Sequence, residues 1–293
     1  MEAWLCSDEL RVGISSLGAE LLSVKRRSRP DFEYLWQGGP EYYPHRAIHI
    51  FPYVGRSTGG VCRLGGELYQ MPLHGFAAGL EFDCRVVSES EAVFSLRSCE
   101  ETRRMYPRDF VLTAVYSLEG SSLRLKHTVE NLSSEPMYFG LGLHPGFNLP
   151  LEEGRVFGDY GLAFPRAALP MQVGMTEFCF RTGDSSRLTL GDGKTLPLSH
   201  SMFDNDALIL DMTGGEAVLS APGSEHSVTI RYPDMRYLSI WHTPKTEAPF
   251  LCVEPMTSLP ARQDVVEALE AQEDLITLEP SGVFTSELVF DFK

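Results

Sequence analysis

Basic residues are scarce in this chain of 293 residues: lysine and arginine total 25 against 40 aspartates and glutamates, which gives a net charge of −15. Nucleic-acid binding needs a surplus of positive charge facing the phosphates, and an acidic surface is disfavoured at anionic membranes. The one dense basic run, residues 25–29 (KRRSR), is short and is interpreted as a solvated loop. The charge therefore argues against nucleic acids and membrane surfaces as partners.

Long apolar runs are also absent, since no stretch reaches the ~18 residues that indicate a transmembrane helix. The first residues, MEAWLCSDE, are acidic and lack the basic start and apolar centre of a secretion signal. We therefore expect a cytoplasmic protein. The hydrophobic fraction of 43% is typical of a globular chain, and the length is sufficient to bury a substantial core.

Paired cysteines are missing as well. The six cysteines, at positions 6, 62, 84, 99, 179 and 252, form no CxxC motif, so neither a zinc site nor a redox motif is indicated. We predict that they are buried free thiols in a reducing compartment. His45 and His49 are four residues apart, but the sequence around them has no helical pattern, and no metal site is expected there.

The dominant pattern that the sequence does contain has a period of two. In residues 122–129, Leu123, Leu125, His127 and Val129 share one parity and polar residues take the other. Further short strands are predicted at residues 92–97, 228–232, 237–241 and 250–254, with turns marked by glycine or proline between them. This pattern predicts an all-β fold, an antiparallel sandwich or barrel, in a single domain over residues 1–293.

One helix is predicted, over residues 262–273. Val265, Val266 and Leu269 supply its apolar positions, and Pro260 lies just upstream of its expected start.

Four segments place ionisable residues among apolar ones beside glycine or proline. They are residues 51–56 (FPYVGR), 72–76 (PLHGF), 142–148 (GLHPGFN) and 250–255 (FLCVEP). A buried ionisable group must be hydrogen-bonded or shifted in pKa, so such residues are candidates for a site. Glu254 shares its parity with Phe250 and Cys252, so it either has a buried cationic partner, for which Arg56 is a candidate, or lines a cleft. His74 is equally compatible with a structural histidine.

In this order, the segments resemble the motifs of the aldose 1-epimerases, the galactose mutarotase-like family. Residues 18–21 (GAEL), 34–36 (YLW) and 205–208 (NDAL) resemble further family segments, so the resemblance covers most of the chain. It implies a large antiparallel β-sandwich with a sugar in an open cleft. The chain departs from the family pattern at Gly146, where many members have an aromatic residue, and at Met256, where many have tryptophan.

The resemblance also implies a reaction, the interconversion of the α and β anomers of a free aldose, with roles for individual residues. Glu254 is expected to be the base and His144 the acid, while His74 hydrogen-bonds the ring oxygen or a neighbouring hydroxyl. Arg56 holds a hydroxyl or orients Glu254, and Asp206 binds sugar hydroxyls, although Asp204 matches the loose acidic motif equally well. Trp241 either stacks on the sugar or belongs to the core.

Ring opening needs one group to remove the C1 hydroxyl proton and another to protonate the ring oxygen. We therefore expect an ionised Glu254 beside a protonated His144, a bell-shaped pH profile, and no metal or organic cofactor. The partner is a small-molecule sugar, and the sequence does not specify an oligomeric state.

Three alternatives remain open from the sequence. A hexose-6-phosphate mutarotase would need extra lysine or arginine at the cleft mouth. A non-catalytic carbohydrate-binding or sensing protein would not need two histidines and a glutamate together. A glycosidase would need two catalytic carboxylates, for which Glu254 and Asp206 are candidates, but it would leave both histidine motifs unexplained.

Overall fold

The computed structural model describes residues 1–167 and 169–293. Nearly all of the regular structure in this part of the chain is β. The strands are β1 (Glu2–Cys6), β2 (Leu10–Ser15), β3 (Leu21–Arg26), β4 (Arg29–Glu33), β5 (Ala47–Ile50), β6 (Val61–Leu64), β7 (Glu67–Gln70), β8 (Asp83–Ser88), β9 (Glu91–Arg97), β10 (Phe110–Glu119), β11 (Ser122–Asn131), β12 (Met137–Phe139), β13 (Gly142–Asn148), β14 (Gly161–Ala163), β15 (Met171–Met175), β16 (Arg181–Arg187), β17 (Thr195–Pro197), β18 (Leu208–Asp211), β19 (Glu216–Ser220), β20 (Ser227–Arg231), β21 (Tyr237–Trp241), β22 (Phe250–Met256), β23 (Ile276–Leu278) and β24 (Val283–Phe292). The helices are α1 (Glu100–Met105) and the 3-10 turns Thr58–Gly60, Ala77–Gly79, Phe157–Asp159, His200–Phe203 and Leu269–Ala271.

Two large sheets dominate the architecture. One has nine strands in the order β17-β14-β19-β20-β24-β11-β10-β9-β8, and the other has seven in the order β16-β15-β18-β21-β22-β13-β5. The strand pairings within both sheets are antiparallel. A four-stranded sheet, β1 to β4, and the pairs β12-β23 and β6-β7 complete the strand pairing of the described residues. The predicted all-β antiparallel architecture is confirmed.

The hairpin of β10 and β11 shows how the period of two becomes structure. Its register runs from Phe110 opposite Asn131 to Glu119 opposite Ser122, which leaves a two-residue loop at Gly120 and Ser121. Gly120 has a φ of 55°, a conformation that glycine adopts without a steric penalty. The parity predicted for residues 123–129 is confirmed, because its apolar members and His127 are all buried.

The inward faces of the two large sheets meet in one core. On β22, Leu251 and Val253 belong to the main buried cluster, which draws residues from Ala3 to Phe292. Residues of the other parity on β22 point to the opposite face of the seven-stranded sheet, because successive side chains alternate across a strand. That outer face carries Glu254.

A polar cluster lies between the two sheets. The rings of His49 on β5 and His127 on β11 are 5.1 Å apart and perpendicular, and both side chains are fully buried. His49 Nδ1 lies 2.9 Å from the Gly18 carbonyl oxygen, while His49 Nε2, both ring nitrogens of His127 and the Ser286 hydroxyl have no protein partner. Burial lowers the pKa of His49 to about 4 and lowers that of His127 well below its usual value. Both histidines are therefore neutral in the folded protein at neutral pH.

Replacing His127 with leucine is expected to make the fold less sensitive to acid. The unfolded chain binds a proton at this histidine below about pH 6.5 and the folded protein does not, so the free energy of unfolding falls as the pH drops through that value. Between pH 7 and pH 5 this one group accounts for roughly 2 kcal/mol of lost stability. Urea titrations at both pH values should show that the variant loses less stability than the native protein by about this amount, and an equal loss in both proteins would contradict the assignment.

The helix predicted over residues 262–273 is wrong. Only the 3-10 turn Leu269–Ala271 forms within it, and Asp264 has a φ of 61°, which interrupts any helix there. The Glu267 carboxylate instead accepts hydrogen bonds from the backbone and guanidinium of Arg262 and from Arg181 on β16. A local ion pair with Arg262 and a long-range one with Arg181 therefore replace the predicted helical contacts.

The cysteine prediction is confirmed in part. All six cysteines are free, but only Cys62 and Cys252 are buried, and Cys99, at the start of α1, is exposed. Among the described residues, none of the helices has the length and apolarity that crossing a bilayer requires.

Candidate active site

A row of five side chains crosses the outer face of the seven-stranded sheet. The register places Ile48 opposite His144, Ser239 opposite Glu254 and Ile209 opposite Ser239. Because Gly142 pairs with Met256 and Gly146 with Cys252, His144 and Glu254 also lie opposite each other, on β13 and β22. The predicted acid and base, 110 positions apart in the sequence, are therefore adjacent side chains on one face.

His144 and Glu254 form a buried pair. His144 Nε2 lies 3.3 Å from Glu254 Oε1, and the two residues are 6% and 2% exposed. Neither His144 Nδ1 nor Glu254 Oε1 has a hydrogen-bond partner in the described protein. Two ionisable groups that are removed from water and lie side by side are candidates for acid–base chemistry.

Burial shifts the pKa values of Glu254 and His144 in opposite directions. Burial raises the pKa of the Glu254 carboxyl to about 8, the Asp206 carboxylate adds to the increase, and the Ser239 hydroxyl acts against it. Burial lowers the pKa of His144 well below its usual value, and His74 adds to that decrease. The neutral form, carboxylic acid beside imidazole, is therefore favoured. The sequence-based expectation of an ionised Glu254 beside a protonated His144 is therefore the opposite of the protonation that burial favours.

His74 approaches the pair from the turn that follows β7. The backbone turns sharply here, with a φ of 62° at His74 and of 75° at Gly75. A Cβ at residue 75 would lie 2.2 Å from the Phe51 carbonyl oxygen, so this position requires glycine. His74 Nδ1 accepts a hydrogen bond from the Gly55 N–H at 3.3 Å, so a neutral ring carries its proton on Nε2. Burial, with a contribution from Arg56, lowers the pKa of His74 to about 4. A neutral donor 5.3 Å, ring to ring, from His144 matches the hydrogen-bonding role predicted for it.

Arg56 and Asp206 lie together at one side of the pair. Arg56 Nη2 is 4.0 Å from Asp206 Oδ2, so the carboxylate beside Arg56 is that of Asp206 and not that of Glu254, which was the sequence-based candidate. Asp206 has a φ of 75°, and its Oδ1 accepts a hydrogen bond from the Ala207 N–H. Asp204, in contrast, is exposed and lines neither of the cavities around the pair. Of the two, only Asp206 lies at the cavity walls, and its role in binding sugar hydroxyls stays a prediction.

Two aromatic residues hold the His144 ring. Tyr43 stacks on it with ring centroids 4.9 Å apart and planes at 24°, and Trp241 meets it edge-on at 5.8 Å. The loop that carries Tyr43 is fixed by Trp36, whose indole N–H donates to the Tyr43 carbonyl at 2.7 Å. Trp36 packs over Gly146, where a Cβ would lie 3.2 Å from the tryptophan Cβ. The departure from the family pattern at Gly146 therefore makes room for this loop.

Tyr43 and Ser239 are site residues that the motifs did not reveal. Tyr43 belongs to none of the four segments, and its hydroxyl is buried without a hydrogen-bond partner in the described protein. Ser239 shares the parity of Trp241 on a predicted strand, and this shared parity could have identified Ser239 as a site residue. Trp241 is partly buried against other aromatic rings and also lines the cleft, and its stacking on a sugar stays a prediction.

One donor set could hold a metal ion. Ligand atoms of His144, Cys252 and Glu254 lie within 4.8 Å of one another. Burial, with a contribution from Glu254, raises the pKa of the Cys252 thiol well above its usual value, which opposes the deprotonation that metal binding needs. A reaction without a metal stays our prediction.

The pair opens into a cavity of about 480 Å³, here called the inner cavity. Its lining includes all six residues predicted from the sequence: Arg56, His74, His144, Asp206, Trp241 and Glu254. Apolar side chains such as Ile48, Ile209 and Met256 form much of the remaining wall. A largely apolar pocket with a few convergent polar groups is the usual form of a small-molecule site.

The two-sheet antiparallel fold with a buried histidine–glutamate pair on one outer face is that of a galactose mutarotase-like protein. A family model described as aldose 1-epimerase matches residues 4–289, and the chain belongs to that family. It is 31% identical over 289 residues to the chromosomal and plasmid LacX proteins of Lactococcus lactis subsp. lactis, with 94% of each chain covered.

Solved structures agree with this assignment. A galactose mutarotase-like protein from Lactobacillus casei superposes with a TM-score of 0.95 at 30% identity, with all of both chains covered. A galactose mutarotase related enzyme from Lactobacillus acidophilus gives 0.93 at 28% identity, over 100% of this chain and 97% of that one. Membership of the family supports a mutarotase-type function on a carbohydrate.

Proposed function

We propose that this protein is an aldose 1-epimerase that interconverts the anomers of a free, unphosphorylated aldose. The observation that carries the proposal is the buried contact of 3.3 Å between His144 Nε2 and Glu254 Oε1, at the wall of a cavity and without competing hydrogen bonds to Glu254 Oε1. Ring opening needs one group that removes the C1 hydroxyl proton and another that protonates the ring oxygen as its bond to C1 breaks, and the pair provides one acceptor and one donor side by side.

The reaction begins from the tautomer with an ionised Glu254. Its carboxylate removes the proton from the C1 hydroxyl, while the His144 imidazolium gives its proton to the ring oxygen as the bond between C1 and that oxygen breaks. The open-chain aldehyde rotates about the C1–C2 bond. His144 then recovers the proton from the attacking hydroxyl and Glu254 returns its proton to the C1 oxygen, so the enzyme ends in its starting state.

The charges that face the inner cavity favour a neutral sugar over a 6-phosphate. Arg56 is the one guanidinium among the described residues that line it, and the Asp206 carboxylate lies beside it. A phosphate-binding site needs uncompensated cations, usually with bidentate geometry. His45 also lines the cavity, but it lies 3.9 Å from the Glu20 carboxylate.

The test is a panel of anomeric exchange rates measured by NMR on glucose, galactose and their 6-phosphates. We expect enzyme-catalysed exchange on the free sugars that is faster than on the corresponding phosphates, and no change after exhaustive chelation of metals. Faster turnover of the phosphates would favour the hexose-6-phosphate alternative. Sugar binding without exchange on any of the four would favour a non-catalytic protein.

The pH profile of kcat/KM is expected to be bell-shaped, because only the singly protonated pair is active. Loss of its proton sets the alkaline limb near pH 8, the pKa of Glu254, and a second proton on the pair sets the acid limb well below pH 6.5. Since the Asp206 charge helps to raise the pKa of Glu254, Asp206→Asn should move the alkaline limb to lower pH. Asp204→Asn, two positions away and outside the cavity, is the matched control, and an unmoved limb in Asp206→Asn would contradict the coupling.

A further inference from the structure

Glu20 is a largely buried carboxylate that has no part in the reaction as described so far. It follows β2 in residues 18–21, one of the segments that resemble the family, and its side chain is 14% exposed. Its Oε1 accepts hydrogen bonds from the backbone N–H groups of Arg46 at 2.6 Å and of Ala47 at 3.3 Å. β5 begins at Ala47 and lies at the edge of the seven-stranded sheet, next to the strand of His144. Glu20 therefore links the turn between β2 and β3 to the start of a strand that borders the site.

The turn that carries Glu20 is fixed by two buried side chains. Gly18 and Ala19 both have positive φ values, of 68° and 48°, and a residue other than glycine keeps such a conformation only where its surroundings fix it. The Gly18 carbonyl oxygen lies 2.9 Å from His49 Nδ1 on β5, and the Ala19 carbonyl oxygen accepts a hydrogen bond from the Tyr116 hydroxyl on β10 at 2.9 Å. Both of these side chains are fully buried. The turn therefore presents the Glu20 carboxylate in a defined position.

Glu20 is ionised at neutral pH despite its burial. Burial acts to raise the pKa of this carboxyl, but the interactions with His45 and with the Arg46 N–H outweigh it, and the pKa lies below its usual value. The second carboxylate oxygen, Oε2, is 3.9 Å from His45 Nδ1. Hydrogen bonds from N–H groups to a carboxylate are roughly twice as strong as those between neutral groups. Glu20→Ala would therefore deprive both N–H groups at the start of β5 of a strong acceptor.

Arg46 is the last residue of the loop that packs against the predicted acid. Its N–H is held by Glu20, and its carbonyl oxygen accepts a hydrogen bond from the Gly146 N–H at 2.8 Å, on the strand of His144. Three positions before Arg46, Tyr43 stacks on the His144 ring with centroids 4.9 Å apart. Loss of the Glu20 carboxylate would free the backbone close to the ring that packs on His144.

We propose that Glu20 is a positioning residue for the reaction: its carboxylate fixes the start of β5 and thereby holds the Tyr43 ring against His144. The stacked ring restrains the imidazole in its contact with Glu254. Glu20 is not among the described residues that line the inner cavity, so it acts through the loop and not on the sugar. The positioning rests on these contacts alone, whereas its effect on the rate rests on the proposed epimerase function.

The kinetic test compares Glu20→Ala with Glu20→Gln, which keeps an oxygen that can accept the backbone hydrogen bonds but lacks the charge. We expect kcat for anomeric exchange on a free aldose to fall about tenfold in Glu20→Ala and roughly threefold in Glu20→Gln, the scale of a charge-assisted hydrogen bond and of its weakening. KM should change by less than about twofold, because Glu20 lies outside the inner cavity. Glu41→Ala, the same substitution at an exposed glutamate of the same loop, is the control and should retain the native kcat.

An NMR test of the positioning does not depend on turnover. The ring current of Tyr43 shifts the proton resonances of the His144 ring, which can be observed in protein that carries 13C-labelled histidine and assigned with His144→Gln. We expect the His144 signal of Glu20→Ala to move toward its position in Tyr43→Leu, and the signal of Glu41→Ala to stay in place.

The two readouts separate this proposal from the epimerase function. A native His144 signal or a native kcat in Glu20→Ala would overturn the positioning role, while exchange by the native protein keeps the epimerase function in place. A shifted signal in Glu20→Ala, together with no exchange by the native protein on any aldose, would overturn the epimerase function and leave the contact between Glu20 and the loop. If Glu20→Ala does not fold, the same two readouts on Glu20→Gln decide.

Discussion

Glu254→Gln is expected to lower the rate of anomeric exchange by about three orders of magnitude, the middle of the range for a general base. The amide occupies nearly the same volume and remains neutral, but it cannot accept the C1 hydroxyl proton. NMR exchange or polarimetry on a free aldose measures the loss. Glu153→Gln, the same chemical change at an exposed residue without a role in the site, is the control and should retain the native rate.

The same variant should fold at least as well as the native protein. Burial raises the pKa of Glu254 to about 8, so this carboxyl carries more protons in the folded than in the unfolded chain between about pH 4.5 and pH 8. The native protein therefore loses stability from this group as the pH rises through that window, and Glu254→Gln does not. Near-native turnover in the variant would show that Glu254 is not the base, and a variant that unfolds at every pH would contradict the stability argument.

His144→Gln is expected to cost a comparable amount, about 10²–10³-fold in kcat with a small change in KM, because it removes the group that protonates the ring oxygen. The matched comparison is His74→Gln. His74 is assigned a hydrogen bond and not a proton transfer, so its loss should cost roughly tenfold, the value of one hydrogen bond. A larger fall in kcat for His74→Gln than for His144→Gln would reverse the two assignments.

The fold class followed from local pattern, since alternation along β11 and the turn residues act within a few positions. The individual site residues could be predicted from the sequence, but which of them lie next to each other could not. Which residue faces Glu254 depends on the pairing of β13 with β22, and no local signal in either segment reveals that His144, and not Arg56, is the partner. Arg56 lies in the connection after β5, and the carboxylate within 4.0 Å of its Nη2 is that of Asp206.

The errors have the same origin. The segment 262–273 has the apolar pattern of a helix, but Glu267 within it forms a salt bridge with Arg181 of a hairpin that is distant in the sequence. Tyr43 was missed because its importance comes from contacts between distant segments, Trp36 with Gly146 and Tyr43 with His144. The hydrophobic periodicity of a sequence carries no information about such contacts. Here these contacts determine the conformation of the loop that carries Tyr43 and the surroundings of His144.

The row of five side chains from Ile48 to Ile209 also limits the ways in which the sequence of such a protein can change. Each member is aligned with the next by strand register, and a shift of one residue in β22 would put Val253, of the opposite face, across from His144. Insertions and deletions within these five strands would therefore abolish the site at once, whereas substitutions and changes of loop length would not. Sequence drift is confined to routes that preserve strand alignment, which accounts for a TM-score of 0.95 persisting at 30% identity.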